Sequence, residues 1–210
     1  MVVANDDDGV KMNEKQRTTS TESHTLTAAK VLLFEAGKQN PGPWIRHSEF
    51  VAEAAGKIAS QCPDLDVEQA VICGLLHDIG RRYGVTYLAH VYDGYRYLME
   101  LGWERAARVA LSHSFNLRQM EDYIGKFDLE DEDQKVLEEL LGNMEYDEYD
   151  YLIQLCDAIA TAEGIVPLNE RMNDVKSRYG YYPQEKWDRN IALKEYFEKK
   201  MGKPLYEVVM

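Results

Sequence analysis

The stretch Asp66-Val67-Glu68-Gln69-Ala70-Val71-Ile72-Cys73-Gly74-Leu75-Leu76-His77-Asp78-Ile79-Gly80-Arg81 reads as one strongly apolar helix that closes on a polar doublet. Asp66 with Gln69 three residues later resembles a capping box. Val71, Ile72, Leu75 and Leu76 form the apolar body, and Gly80 is a stop. The helical period continues in both directions. Upstream, Leu26, Ala29, Leu33 and Ala36 repeat before Gly37, a second stop. Asn40-Pro41-Gly42-Pro43 is a turn and helix start, followed by Ile45, Phe50, Val51, Ala54, Ala55 and Ile58 on one broad face. Downstream, the pattern predicts helices over about 88–101, 103–114, 130–141 and 149–163, then a more polar pair over about 167–178 and 183–201. Tyr179-Gly180-Tyr181-Tyr182-Pro183 is a Gly/Pro break within that pair. No alternating strand and no repeat occurs, so the expected fold class is all-α, a single helical bundle. Residues 1–22, polar and rich in Thr and Ser, read as a flexible tail. Residues 23–165 form the expected core domain, and 166–210 supply C-terminal helices packing on it.

With 210 residues and 45% hydrophobic composition, the chain can bury one sizeable core. The 24 Lys and Arg against 37 Asp and Glu give a formal charge of −13, which argues against a nucleic-acid backbone as partner. That charge is concentrated. Between residues 120 and 150 lie 13 acids and two bases, or −11 of the −13. This run reads as a solvated helix face, and it leaves the rest of the chain near neutrality. Asp6, Asp7 and Asp8 have the wrong charge for a signal peptide, and no apolar stretch reaches the roughly 20 residues of a membrane span. Cys62, Cys73 and Cys156 cannot all pair and contain no C-x-x-C spacing, so reduced thiols and a cytoplasmic location are expected.

The five histidines separate into one and four. His24 lies at the edge of the tail and reads as a solvated residue. His47, His77, His90 and His113 each fall on the apolar side of a different predicted helix. Each buried imidazole left unpaired would cost about 1–3 kcal/mol. A shared metal centre satisfies all four together, and imidazole nitrogen suits Zn, Mn, Fe, Co or Ni. Two carboxylates are placed to join, Asp78 beside His77 and Asp157 within the apolar run from Leu152 to Ala160. A buried Asp in such company needs a partner.

His47, the doublet His77-Asp78 and the distant Asp157 resemble the H…HD…D pattern of the HD-domain superfamily of metal-dependent hydrolases. Leu75-Leu76-His77-Asp78-Ile79-Gly80-Arg81 is similar to that family's HDIG segment. His90 and His113 are similar to the two extra ligand positions of dinuclear members, and the likeness spans roughly residues 40 to 162. It implies that His47, His77, Asp78 and Asp157 hold one divalent transition metal, and that Asp78, His90 and His113 hold a second. It further implies a phosphohydrolase in which metal-activated hydroxide attacks a small phosphorylated substrate, most naturally a nucleotide. Asp78 and Arg81 are the catalytic candidates. Arg81, Arg82, Arg46 and Arg96 are the candidate substrate cations, and Tyr83, Tyr87, Tyr92 and Tyr95 are candidate pocket aromatics. The C-terminal helices, with Arg171, Lys176, Arg178 and Lys186, are placed to cover the site. The same ligand order also occurs in HD-fold diiron oxygenases, which gives a second reading, and a non-catalytic nucleotide-sensing module is a third. A second copy of the chain is a candidate partner through the apolar helix at 26–36.

Overall fold

The computed structural model describes residues 24–210, and the tail expected at 1–22 lies outside them. Asp66 starts the apolar helix by accepting a hydrogen bond from Gln69 N at 2.7 Å. The reciprocal half of the expected capping box is absent. The Gln69 side chain turns instead to Cys73 Sγ, and Asp66 N–H donates to the Tyr149 hydroxyl at 2.9 Å. Among the described residues the order is α1 (Leu26–Gln39), α2 (Trp44–Ala59) and this helix, α3 (Val67–Leu76), followed by a 3-10 turn at Ile79–Tyr83. Then come α4 (Ala89–Glu100), α5 (Glu104–Ser112), α6 (Asp131–Asn143) and α7 (Glu148–Asp157). The last three are α8 (Leu168–Tyr179), α9 (Gln184–Met201) and α10 (Leu205–Val209). No strand is formed among the described residues; Ala160 and Ile165 make one isolated antiparallel bridge. The protein is all-α.

α3 is apolar all round because it is packed on both sides. Ala70 and Cys73 join a core built from Val51, Ile58, Ile153, Met172, Phe197 and Leu205, so the C-terminal helices share the core of α2, α3 and α7. Ile72 and Leu76 face a second core with Leu33, Leu98 and Ala107. A third, with Val91, Leu111, Phe115, Leu137 and Leu141, joins α4 and α5 to α6. Cys62, Cys73 and Cys156 are free and buried. Among the described residues, no helix is long and apolar enough to cross a membrane. α1 turns Ala29, Leu33 and Ala36 inward and leaves Val31 and Phe34 exposed.

Several boundaries differ from the sequence reading. α1 runs through Gly37 to Gln39; a Cβ at Gly37 would come within 2.7 Å of Ile45 Cδ1, so this glycine serves helix contact and not termination. The helix expected over 149–163 stops at Asp157, and Thr161 to Gly164 form a tight turn in which Thr161 N–H donates to Gly164 O at 2.8 Å. Gly180 does end α8, with φ of 80°, a conformation glycine adopts without steric strain. The run at 120–150 is only partly a solvated face. Asp122 and Asp150 are buried, with 3% and 0% exposure.

Gly80 fixes how the 3-10 turn meets α4. A Cβ there would lie 2.0 Å from His90 O and 2.5 Å from Gly94 N, both backbone atoms of α4. Gly80→Ala is therefore expected to push the turn off α4 and lower stability by about 3 kcal/mol, read as a shifted urea midpoint. An unchanged midpoint would contradict the packing described.

Candidate metal centre

Four helix ends converge here. His77 is the residue that terminates α3, His113 terminates α5, His90 lies in the first turn of α4, and Asp157 is the last residue of α7. His47 projects from α2. At a helix end, the side chain is free to turn back on its own last turn. His77 Nδ1 accordingly donates to Gly74 O at 2.7 Å, and His113 Nδ1 to Ala110 O at 2.8 Å. His90 Nδ1 donates in the same way to Tyr87 O. A carbonyl only accepts, so Nδ1 carries the proton in all three rings and Nε2 presents its lone pair.

Those lone pairs face Asp78. Its Oδ1 is 3.1 Å from His90 Nε2 and 3.6 Å from His113 Nε2, and its Oδ2 is 4.0 Å from His77 Nε2. Asp157 Oδ1 lies 2.9 Å from His47 Nε2 and 3.9 Å from His77 Nε2. Two triads result, His47–His77–Asp78 and Asp78–His90–His113, each with one ligand atom per residue within 4.8 Å of the others. Spacings of this order suit atoms gathered around an ion at bond lengths of about 2.0–2.2 Å. Buried and without a hydrogen-bond partner are His77 Nε2 and Asp78 Oδ1. An orphaned nitrogen acceptor and an orphaned carboxylate oxygen, side by side, are the donor chemistry of a divalent transition-metal site, so the residues fit such an ion.

Electrostatics support the same assignment. Burial pushes the His77 and His113 imidazoles below their ordinary value, His113 down to about 3. Both rings stay neutral, as ligands must. Burial alone would raise the Asp78 carboxyl; Arg81, then His90 and His77, outweigh it and hold Asp78 well below the usual carboxylate range. Asp157 is likewise lowered against the effect of burial, first by the hydrogen bond from His47.

The centre forms the floor of a cavity of about 650 Å³, whose walls include Trp44, Ser114, Tyr123, Thr161, Glu163 and Tyr179. Three arginines reach it, Arg81, Arg171 and Arg178. Arg81 Nε donates to Asp78 Oδ2 at 2.6 Å. Arg171 and Arg178 both bond Asp174, at 3.1 and 2.9 Å, and Arg171 Nε also donates to Ala160 O. The other arginines of the sequence reading point elsewhere. Arg46 pairs with Glu49 and lies over Phe50, Arg82 bonds Gln39 and covers Tyr97, and Arg96 lies over Tyr92. Tyr83, Tyr87, Tyr92 and Tyr95 do not line the cavity, whereas Tyr123 and Tyr179 do. His24 is exposed and its ring lies tilted against Trp103, with centroids 4.7 Å apart.

The residues that position the ligands come largely from the acidic stretch. Asp150 accepts from Arg108 Nε and Nη2 at 2.9 and 2.8 Å and from Ser112 Oγ at 2.6 Å, tying the end of α5, and so His113, to α7 and Asp157. Asp128 accepts from Tyr87 N and Ala89 N at 2.7 and 2.8 Å, capping the start of α4 where His90 sits. Lys186 reaches from α9 to donate to Ser114 O at 2.6 Å and Asp122 O at 3.0 Å, pinning the segment after His113. The sequence reading placed Lys186 over the site and missed the two aspartates. The Asp150 role had a signal, because Asp147 and Asp150 have the spacing of a capping box and form one; Asp128 acts across 39 residues and had none.

The neutral buried rings give a pH signature. Below about 6.5 an unfolded chain protonates His77 and His113 while the folded chain does not, so stability must fall with pH. Chelator-treated protein should lose up to about 1.4 kcal/mol per pH unit for each fully shifted ring, read as melting midpoints from pH 7 to pH 5. A flat profile would contradict the burial of neutral imidazoles.

A family model for the HD domain matches residues 44–162. No curated protein and no solved structure matches the chain. The matched span exceeds half the chain and contains His47, His77, Asp78, His90, His113 and Asp157. The chain belongs to the HD domain family, whose members are mostly metal-dependent hydrolases.

Proposed function

We propose that this protein is a metal-dependent phosphohydrolase that cleaves a phosphate ester or anhydride of a small molecule, with a nucleotide as the favoured substrate class. The observation that carries the reading is the pair of orphaned atoms, His77 Nε2 and Asp78 Oδ1, buried beneath a cavity that three arginines reach. His47, His77, Asp78 and Asp157 would hold one ion, and Asp78, His90 and His113 a second. Divalent ions there would supply an acidified water as nucleophile and Lewis acidity toward a phosphoryl oxygen.

The chain's own groups divide the remaining work. The hydrogen bonds from Nδ1 to backbone keep three imidazoles in the tautomer whose Nε2 binds a cation. Arg81, Arg171 and Arg178 are the cations available to phosphoryl oxygens, where planar donors match the geometry of the anion. Asp174 orients the latter two. Trp44, Tyr123 and Tyr179 offer aromatic faces to the rest of the substrate, and the volume of the cavity is in the range of small-molecule sites. The ligand set alone is equally compatible with an HD-fold diiron oxygenase; the arginines favour a phosphorylated substrate.

Metal analysis of purified protein, combined with a phosphate-release screen across nucleotides, sugar phosphates and diphosphates under Mn or Co, tests the reading. Bound transition metal and phosphate release are expected. His77→Ala and Asp78→Ala should each lose metal and lower turnover by at least about 100-fold. Phosphatase activity indifferent to either substitution would sink the proposal, as would oxygen consumption with Fe and no phosphate release.

A further inference from the structure

Arg81 does more than line the cavity. Its Nε donates to Asp78 Oδ2 at 2.6 Å, and its Nη2 lies 3.4 Å from His90 Nε2. In the neutral ring, whose Nδ1 donates to Tyr87 O, Nε2 is a lone pair, and the contact is a hydrogen bond from guanidinium to ring. An ion held by Asp78, His90 and His113 needs that same lone pair. It would also have to share the Asp78 carboxylate with a neighbouring full positive charge. The other half of the centre shares the Asp78 carboxylate with Arg81, through Oδ2, but among the described residues no guanidinium hydrogen-bonds to its imidazoles, His47 and His77. Among the described residues, Asp157 makes its ion-pair contacts with His47 and His77, and with no Lys or Arg.

The guanidinium also has somewhere to go. Its remaining contact, Nη1 to Thr86 O at 3.4 Å, is long, and the side chain is 31% exposed on the cavity wall. Gly80 holds the backbone of the preceding residue hard against α4, so any release of His90 must come from the side chain of Arg81 and not from the turn that carries it.

We propose that Arg81 is a built-in competitor for the second metal ion, so that the two positions fill in order. The His47–His77–Asp78–Asp157 position fills first. The Asp78–His90–His113 position fills only as the Arg81 guanidinium leaves His90 Nε2 and swings into the cavity. This rests on the metal-binding reading above and adds that the two ions differ in affinity because of one side chain. The swing also carries a cation to the place where phosphoryl oxygens are to be held.

Titration of metal-stripped protein with Mn²⁺, following the free-ion signal by electron paramagnetic resonance, tests this without any turnover. Wild type should bind one ion tightly and a second at least about tenfold more weakly. Arg81→Gln should tighten the second by about tenfold and leave the first within about twofold. Arg81→Lys, which keeps the charge but not the planar fork, should fall between them, and it decides the matter if the Gln variant does not fold. A second affinity that is unchanged or weaker in both variants overturns the proposal, as do two equal sites in wild type. A wild-type protein that binds no Mn²⁺, Co²⁺ or Fe²⁺ overturns the metal-binding reading itself.

Discussion

Asp78 is the group on which the rest of the structure depends. Its carboxylate is 4% exposed and meets the unprotonated nitrogens of three imidazoles on one side and a guanidinium on the other. Acceptors facing acceptors repel unless a cation lies among them, and burial multiplies the penalty because no water can intervene. The fold nevertheless spends three helix ends and a glycine contact on bringing these atoms together. A centre of this kind is a poor stabilising core and a good ligand set.

The scaffold around it explains why the cluster holds its shape. Each of His77, His90 and His113 is locked at Nδ1 by a backbone carbonyl three residues upstream, so ring orientation is set by the helix that carries it. Those helices are in turn fixed by charges from the acidic stretch. Asp128 holds the start of α4, and Asp150 clamps α5 to α7 through Arg108 and Ser112. A half-buried ion pair such as Arg108–Asp150 adds little net stability but specifies one geometry, which is what a metal site requires. The −13 charge of the chain is therefore partly structural, and the cavity above the centre is lined by arginines despite it.

The helical class and the grouping of four histidines with two aspartates were legible in the sequence, because helical period and ligand type are local properties. The apolar residues of α3 and the doublet after Leu76 already implied a buried pair needing a partner. Helix ends were less legible. Gly37 looks like a stop and is a contact point against Ile45, and α7 halts at Asp157 although apolar residues continue to Ala160. The cations were least legible. Arg46 and Arg96 neighbour the ligands in sequence or helix but are drawn to Phe50 with Glu49 and to Tyr92, while Arg171 and Arg178, read from sequence only as part of a cover over the site, reach the cavity. Which side of a helix faces a cavity depends on tertiary packing, and long flexible side chains follow whatever partner lies nearest.

Anomalous diffraction from crystals of the protein loaded with cobalt would locate the ions. The strongest peak is expected among His47 Nε2, His77 Nε2, Asp78 and Asp157, with any weaker companion on the His90–His113 side of Asp78. A cluster without a peak, with cobalt held only by the exposed acids between residues 128 and 139, would contradict this expectation.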